Sequence, residues 1–159
     1  MDQDLQFRRA QKADLEAIVA MFADDELGRL REDASLPLNQ KYTTAFENID
    51  GDDNQYLLVA ELGGEQGGEL IGFLQITFIP TLSRLGSTRA QVESVRVTSK
   101  LRGMGIGTRM MEETIRICRA RGCYLIQLTT DIKRQKTRQF YEALGFETTH
   151  HGMKLMLES

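Results

Sequence analysis

The chain predicts a mixed α/β fold of the α+β kind: a mostly antiparallel sheet with a central parallel pair, and helices on both faces. Three observations carry this expectation. Over residues 89–129 a strand-like run, a glycine turn, a long helical run and a second apolar strand follow one another, and two neighbouring strands joined through a helix lie parallel. Two further strand-like runs, residues 55–62 and 69–78, flank the short segment Gly63-Gly64-Glu65-Gln66-Gly67-Gly68, which reads as a flexible hairpin loop. No linker, internal repeat or low-complexity tail interrupts the 159 residues, so residues 1–159 are expected to form one domain.

Each element has its own local warrant. Residues 5–9 alternate as a short strand. Leu15, Ile18, Val19 and Phe22 then form one stripe at helical spacing, with Asp14 near its start. Residues 24–38 are polar and contain Pro37, and a second helix is expected over 39–49. The hairpin pair and a third strand, residues 89–98, come next. The glycine-rich turn from Arg102 to Gly107 leads into a helix that runs to about Ala120 and is stopped by Gly122. Residues 124–129 form a short apolar strand, and residues 135–144 a helix stopped by Gly145. A final strand pair is expected over 146–149 and 153–157.

Composition narrows the function classes. Apolar residues make up 41% and charged residues 27%, the balance of an ordinary globular protein with a real core. The net charge of −3 lacks the basic excess that nucleic-acid binding needs, so no direct nucleic-acid partner is expected. The opening MDQDLQFRRAQ has no apolar signal region, and no stretch approaches 18 apolar residues. No membrane contact and a cytoplasmic location are therefore expected. Cys118 and Cys123 have neither CxxC nor Cys/His ligand spacing, which points to reduced thiols and no metal.

The informative segment runs from Val95 to Thr108. A strand ends, three glycines alternate at Gly103, Gly105 and Gly107, and a helix begins. Glycines allow close backbone approach, and a helix start adds unpaired N–H donors and the positive end of the dipole. Together they suit an anion such as a phosphate. A Walker loop fails here, because Gly107 is followed by Thr108 and Arg109. A dinucleotide fingerprint fits poorly, because Thr108 stands where its last glycine belongs.

The pattern Arg102-x-x-Gly105-x-Gly107, after a strand and opening a helix, resembles the pyrophosphate loop of the GCN5-related N-acetyltransferase family. Downstream, Phe140-Tyr141-Glu142-Ala143-Leu144-Gly145-Phe146-Glu147 resembles that family's late helix and turn. The element order between and around the two motifs matches as well. The resemblance implies an acyl-CoA N-acyltransferase fold whose central parallel pair is splayed, with acetyl-CoA as cofactor and a small-molecule or peptide amine as acceptor. It implies that the backbone of Val95, Arg96 and Val97 contacts pantetheine. It further implies that Arg102, Gly103, Met104, Gly105, Ile106, Gly107 and Thr108 surround the diphosphate. A homodimer is the family-level expectation.

Two catalytic residues follow from the same resemblance. Tyr141 matches the tyrosine that protonates the departing thiolate; a phenol with pKa about 10 can do so. The acceptor amine, with pKa near 10.4 for a simple alkylammonium, needs a base. His150 and His151 lie off the central strand. Glu93 lies on the strand that leads to the cofactor loop, where burial would raise its pKa toward usefulness; the competing reading is a solvated strand residue. Strict alternation puts Gln91, Glu93, Val95 and Val97 on one face, an assignment that a bulge would change.

The chain departs from the family at two positions. Asn and Ala commonly stand seven and four residues before the tyrosine, where this chain has Arg134 and Thr137. The charged run 131–136 either covers a phosphate of the cofactor's adenosine or is a solvated helix start, with Asp131 as its cap. The acceptor site by resemblance draws on the first two helices, their loop and the last strands. Asp24, Asp25, Glu26, Glu32, Asp33, Glu47, Asp50, Asp52 and Asp53 there form either a rim for cationic amines or an ordinary acidic surface. Two other readings compete with catalysis: a catalytically silent acyl-CoA-binding regulatory module, and a nucleotide-binding domain.

Overall fold

The computed structural model describes residues 4–26, 28–63 and 68–157. The hairpin loop expected at 63–68 falls mostly on residues 64–67, which lie outside the described residues. The chain forms two compact units, one ending at Gln127 and one beginning at Leu128.

The first unit is built on a sheet of five strands in the order β1-β2-β3-β4-β5. These are β1 (Leu5–Arg9), β2 (Gln55–Leu62), β3 (Glu69–Pro80), β4 (Thr88–Val97) and β5 (Cys123–Leu128). The first four pair antiparallel in sequence, and β5 beside β4 makes the sheet mixed. The neighbours β4 and β5, joined through the helix between them, supply the parallel pair expected of such a sheet. A one-turn segment, α3 (Ser83–Gly86), connects β3 to β4, with Arg84 and Leu85 in left-handed conformations.

The helices form because one face of each is apolar and has a sheet face to cover. α1 (Leu15–Ala23) follows a 3-10 turn at Lys12–Asp14 and buries Ile18, Val19 and Met21. α2 (Gln40–Asp50) starts at Asn39, whose side chain accepts the Lys41 N–H, and it buries Phe46. Ile18, Met21 and Phe46 pack with Leu57, Val59 and Phe73 on one face of the sheet. α4 (Ile106–Ala120) covers the other face with Met110 and Met111, both 0% exposed. Gly72 makes that approach close: a Cβ there would lie 2.5 Å from Met110 Sδ and 3.3 Å from the Ala60 Cβ.

One polar cluster locks the β1 end. The Arg8 guanidinium donates to both Asp14 carboxylate oxygens at 2.8 and 2.9 Å and to Glu61 at 3.0 Å. Asp14 also accepts the Gln11 N–H at 2.6 Å. Glu61 is buried, and the pairing meets the rule that a buried carboxylate needs a charged partner.

The second unit contains α5 (Gln135–Ala143), followed by a turn at Gly145 with φ 91°. The strand pair expected over 146–149 and 153–157 is absent: neither segment is assigned to a strand or ladder, and residues 150–157 are exposed. Alternation alone does not make a strand, because a strand exists through its hydrogen-bonded neighbour. Asp131 does not cap α5 either. Arg134 is the N-cap residue, and the Asp131 side chain instead accepts the Lys133 N–H at 2.9 Å.

Candidate active site

The site grows out of the end of β4. Its register with β3 shifts between Phe73 and Gln75: Gln75 faces Glu93, while Phe73 faces Arg96. The extra residue is absorbed by Ser94, which adopts φ 56°. This bulge corrects the strict-alternation expectation. Glu93 and Arg96 share the face that carries Leu57 and Phe73, whereas Val97 opposes Gly72 on the face covered by α4. Bulges redirect side chains in this way at functional sites. The adjacent polar residues Glu93 and Ser94, which break the polar–apolar alternation of residues 89–97, were the one sequence sign of it.

Glu93 is exposed. The burial on which its expected activation depended is absent, because the bulge lifts residues 93 and 94 out of the packed part of the strand. Arg96 lies largely covered. One of its terminal nitrogens donates to the Val95 carbonyl at 2.9 Å, and its guanidinium stands over the Phe22 ring at 5.8 Å.

After β4 the chain makes a 3-10 turn at Ser99–Leu101 and enters the glycine bend. Gly103 has φ 79° and Gly105 φ 81°, conformations that other residues resist. Gly105 is the N-cap of α4 and no side chain caps it. The N–H groups of the first turn, from Ile106 onward, therefore have no acceptor within the helix. A Cβ at Gly103 or Gly105 would meet nothing within 4 Å. Left-handed backbone, open space and uncapped donors coincide, which fits a diphosphate held by main-chain amides. Ile106 is buried and anchors the bend; Met104 is exposed, and Gly107 and Thr108 are half-buried. The Arg102 Nε donates to the Val97 carbonyl at 3.2 Å, tying the bend to the end of β4.

The structure thus brings Glu93, Val95, Arg96, Val97 and the Arg102–Thr108 bend together in the first unit. Tyr141 belongs to the second. It is buried on α5, edge-on to Phe140 at 5.0 Å and to Phe146 at 5.7 Å. His150 and His151 are exposed.

Sequence reasoning missed how the acidic residues are used. Glu47 pairs with Lys12 at 2.8 Å, and Asp50 with Arg9 at 3.3 Å. The Tyr42 hydroxyl donates to Glu32 at 2.9 Å and accepts the Asp33 N–H at 3.0 Å. Much of that acidic set is therefore neutralised or held internally, which favours the ordinary acidic surface over the rim. Cys118 is buried, and that burial pushes its thiol up to about 12; burial raises Cys123 as well. Both are free, as expected of reduced thiols. Among the described residues no group of three or more His, Cys, Asp or Glu side chains could hold a metal, and no helix is long and apolar enough to cross a membrane.

A mixed sheet that ends its fourth strand in an open, amide-lined bend has the architecture of an N-acetyltransferase. The chain belongs to the acetyltransferase (GNAT) family, whose pattern matches residues 19–146. Over 90 residues it is 31% identical to glucosamine 6-phosphate N-acetyltransferase of Trypanosoma brucei brucei; the match covers 57% of this chain and 59% of that relative, less than two thirds of its length. Among solved structures, a transcriptional regulator from Bacillus halodurans C-125 is 45% identical, with a TM-score of 0.89 over 96% of this chain and 99% of that one. A predicted acetyltransferase with acetyl-CoA from Clostridium acetobutylicum is 20% identical, with a TM-score of 0.72 over 96% of each chain, and shares the fold.

Proposed function

We propose that residues 1–159 act as one acyltransferase domain that moves an acetyl group from acetyl-CoA to a primary amine, by direct attack in a ternary complex. The observation that carries this reading is the open bend at Gly103 and Gly105, at the uncapped start of α4, in a member of the GNAT family. When bound, the cofactor supplies an acetyl thioester. The backbone of Val95, Arg96 and Val97 positions its pantetheine arm, and the amides from Gly103 to Thr108 hold its diphosphate together with Arg102.

The remaining steps belong to the side chains. The ammonium of the acceptor loses its proton to solvent, with Glu93, exposed at the bulge, as a relay that passes the proton on to water rather than keeping it. Tyr141 holds a proton at Oη for the departing thiolate, a role that rests on the family resemblance of the Phe140–Glu147 motif. The chemistry of the acceptor is that of a primary amine; an amino sugar phosphate enters through the 31% identical relative. A cytoplasmic location and a homodimer complete the proposal.

Thermal shift tests the cofactor. At a hundredfold excess over Kd, acetyl-CoA should stabilise by about 2.7 kcal/mol, or about 5–11 °C for a domain of this size. ATP and NAD should leave the midpoint in place; a shift with either, and none with acetyl-CoA, refutes the reading. Release of free thiol across an amine panel then identifies the acceptor. Tyr141→Phe should slow turnover while leaving coenzyme A affinity unchanged, and wild-type turnover at saturation would remove the tyrosine from the reaction.

A second reading, a silent acyl-CoA-binding regulatory module, rests on the description of the Bacillus halodurans protein as a transcriptional regulator, and on nothing in the site itself. Thiol release with any amine in the panel decides against it.

A further inference from the structure

The turn after α1 carries two adjacent aspartates, and each reaches a different arginine of the cofactor segment. Asp25 Oδ2 lies 3.9 Å from a terminal nitrogen of Arg96, with the two side chains 14% and 17% exposed. Asp25 also accepts the Gly28 N–H at 3.3 Å, which fixes the turn itself. Asp24 Oδ2 lies 3.9 Å from a terminal nitrogen of Arg102, with side chains 54% and 52% exposed. The Arg102 Nε is meanwhile committed to the Val97 carbonyl.

The two pairs differ in what can displace them. Breaking the covered Asp25–Arg96 pair strands charge in a poorly solvated place, so that pair is an anchor. The exposed Asp24–Arg102 pair is long and well solvated, and such pairs shift an equilibrium by a factor of about five or less. A guanidinium fork binds phosphate oxygens in bidentate fashion and more strongly than one distant carboxylate. Because Nε holds the stem of Arg102 to the end of β4, the terminal nitrogens can change partner without moving the bend.

We propose that Asp24 is a built-in competitor for the cofactor: its carboxylate engages the Arg102 donors that the diphosphate of coenzyme A takes, and cofactor binding displaces it. This rests on the acyltransferase reading and adds to it a residue, outside the glycine bend, that sets cofactor affinity. The sign of the effect is diagnostic. Were Asp24 merely a support for the bend, its loss would weaken binding. As a competitor, its loss tightens binding.

Titration calorimetry of the whole chain with coenzyme A tests this. At low salt, Asp24→Asn should bind two- to fivefold more tightly than wild type, and the gain should shrink at 0.5 M salt, roughly where screening falls to a few ångströms. Asp25→Asn, which removes the same charge one residue away, should show no gain. In an Arg102→Gln background, Asp24→Asn should change nothing. Unchanged or weaker binding by Asp24→Asn overturns the proposal, as does a gain shared by Asp25→Asn or one that survives loss of Arg102. These outcomes are separate from failure of the acyltransferase reading, in which wild type itself would not bind coenzyme A.

Discussion

Replacing Gly105 by alanine separates backbone strain from loss of the ligand cradle, because the molecule contains its own control. Gly105 is the N-cap of α4 and Gly122 follows its C-cap, Arg121, about 25 Å away at the helical rise. Both have positive φ, 81° and 72°, and at neither would a Cβ meet an atom within 4 Å. Alanine should therefore cost the same at both: about 1 kcal/mol for the left-handed conformation, or about 2–4 °C in melting temperature. Only at Gly105 does the new methyl group enter the space above the uncapped amides. A phosphate oxygen hydrogen-bonded to those amides sits about 2.9 Å from nitrogen, too close to leave room for a carbon. Coenzyme A affinity should fall at least tenfold in Gly105→Ala and stay at the wild-type value in Gly122→Ala. Melting curves and calorimetric titration of the two variants measure both quantities. Wild-type affinity in Gly105→Ala, or equal losses in both variants, would refute the reasoning.

Two further predictions concern what holds the sheet. Gly72→Ala pushes a methyl against fully buried Met110 and should cost about 1–3 kcal/mol by overpacking, read as a lower urea midpoint that Met110→Ala partly restores; an unchanged midpoint contradicts the close contact. Asp14→Asn breaks the bidentate pair with Arg8 and should cost about 1–3 kcal/mol. Burial pushes the Asp14 carboxyl up, but the Arg8 hydrogen bond and the Gln11 N–H outweigh it and hold the group below its ordinary value. A lowered native pKa stabilises above the unfolded value, near 4, and the stabilisation is lost as pH falls through the native one. The acid limb of melting temperature against pH should therefore be shallower in Asp14→Asn, and identical limbs would exclude the linkage.

Legibility in the sequence followed the range of the interactions. The glycine bend was readable because three alternating glycines between a strand and a helix constrain backbone geometry locally, and the positive φ at Gly103 and Gly105 agrees. The helix stripe of α1 was readable because burial repeats with the helical period. The last two strands were misjudged because a local run over 146–149 or 153–157 says nothing about a pairing partner. Placing Val95 and Val97 on the face of Glu93 was a misjudgement, because a single bulge at Ser94 reverses the parity of everything after it. The acidic residues were hardest: Asp24 and Asp25 meet Arg102 and Arg96 only through the fold, and no local pattern announces pairs so distant in sequence.

The account depends on main-chain amides of the Arg102–Thr108 bend holding the diphosphate of coenzyme A. A crystal structure of the chain grown with coenzyme A tests that directly. Phosphate oxygens should lie about 2.7–3.2 Å from backbone nitrogens of the bend, with Arg102 turned from Asp24 toward the ligand. A cofactor bound elsewhere, with the bend left empty, would contradict it.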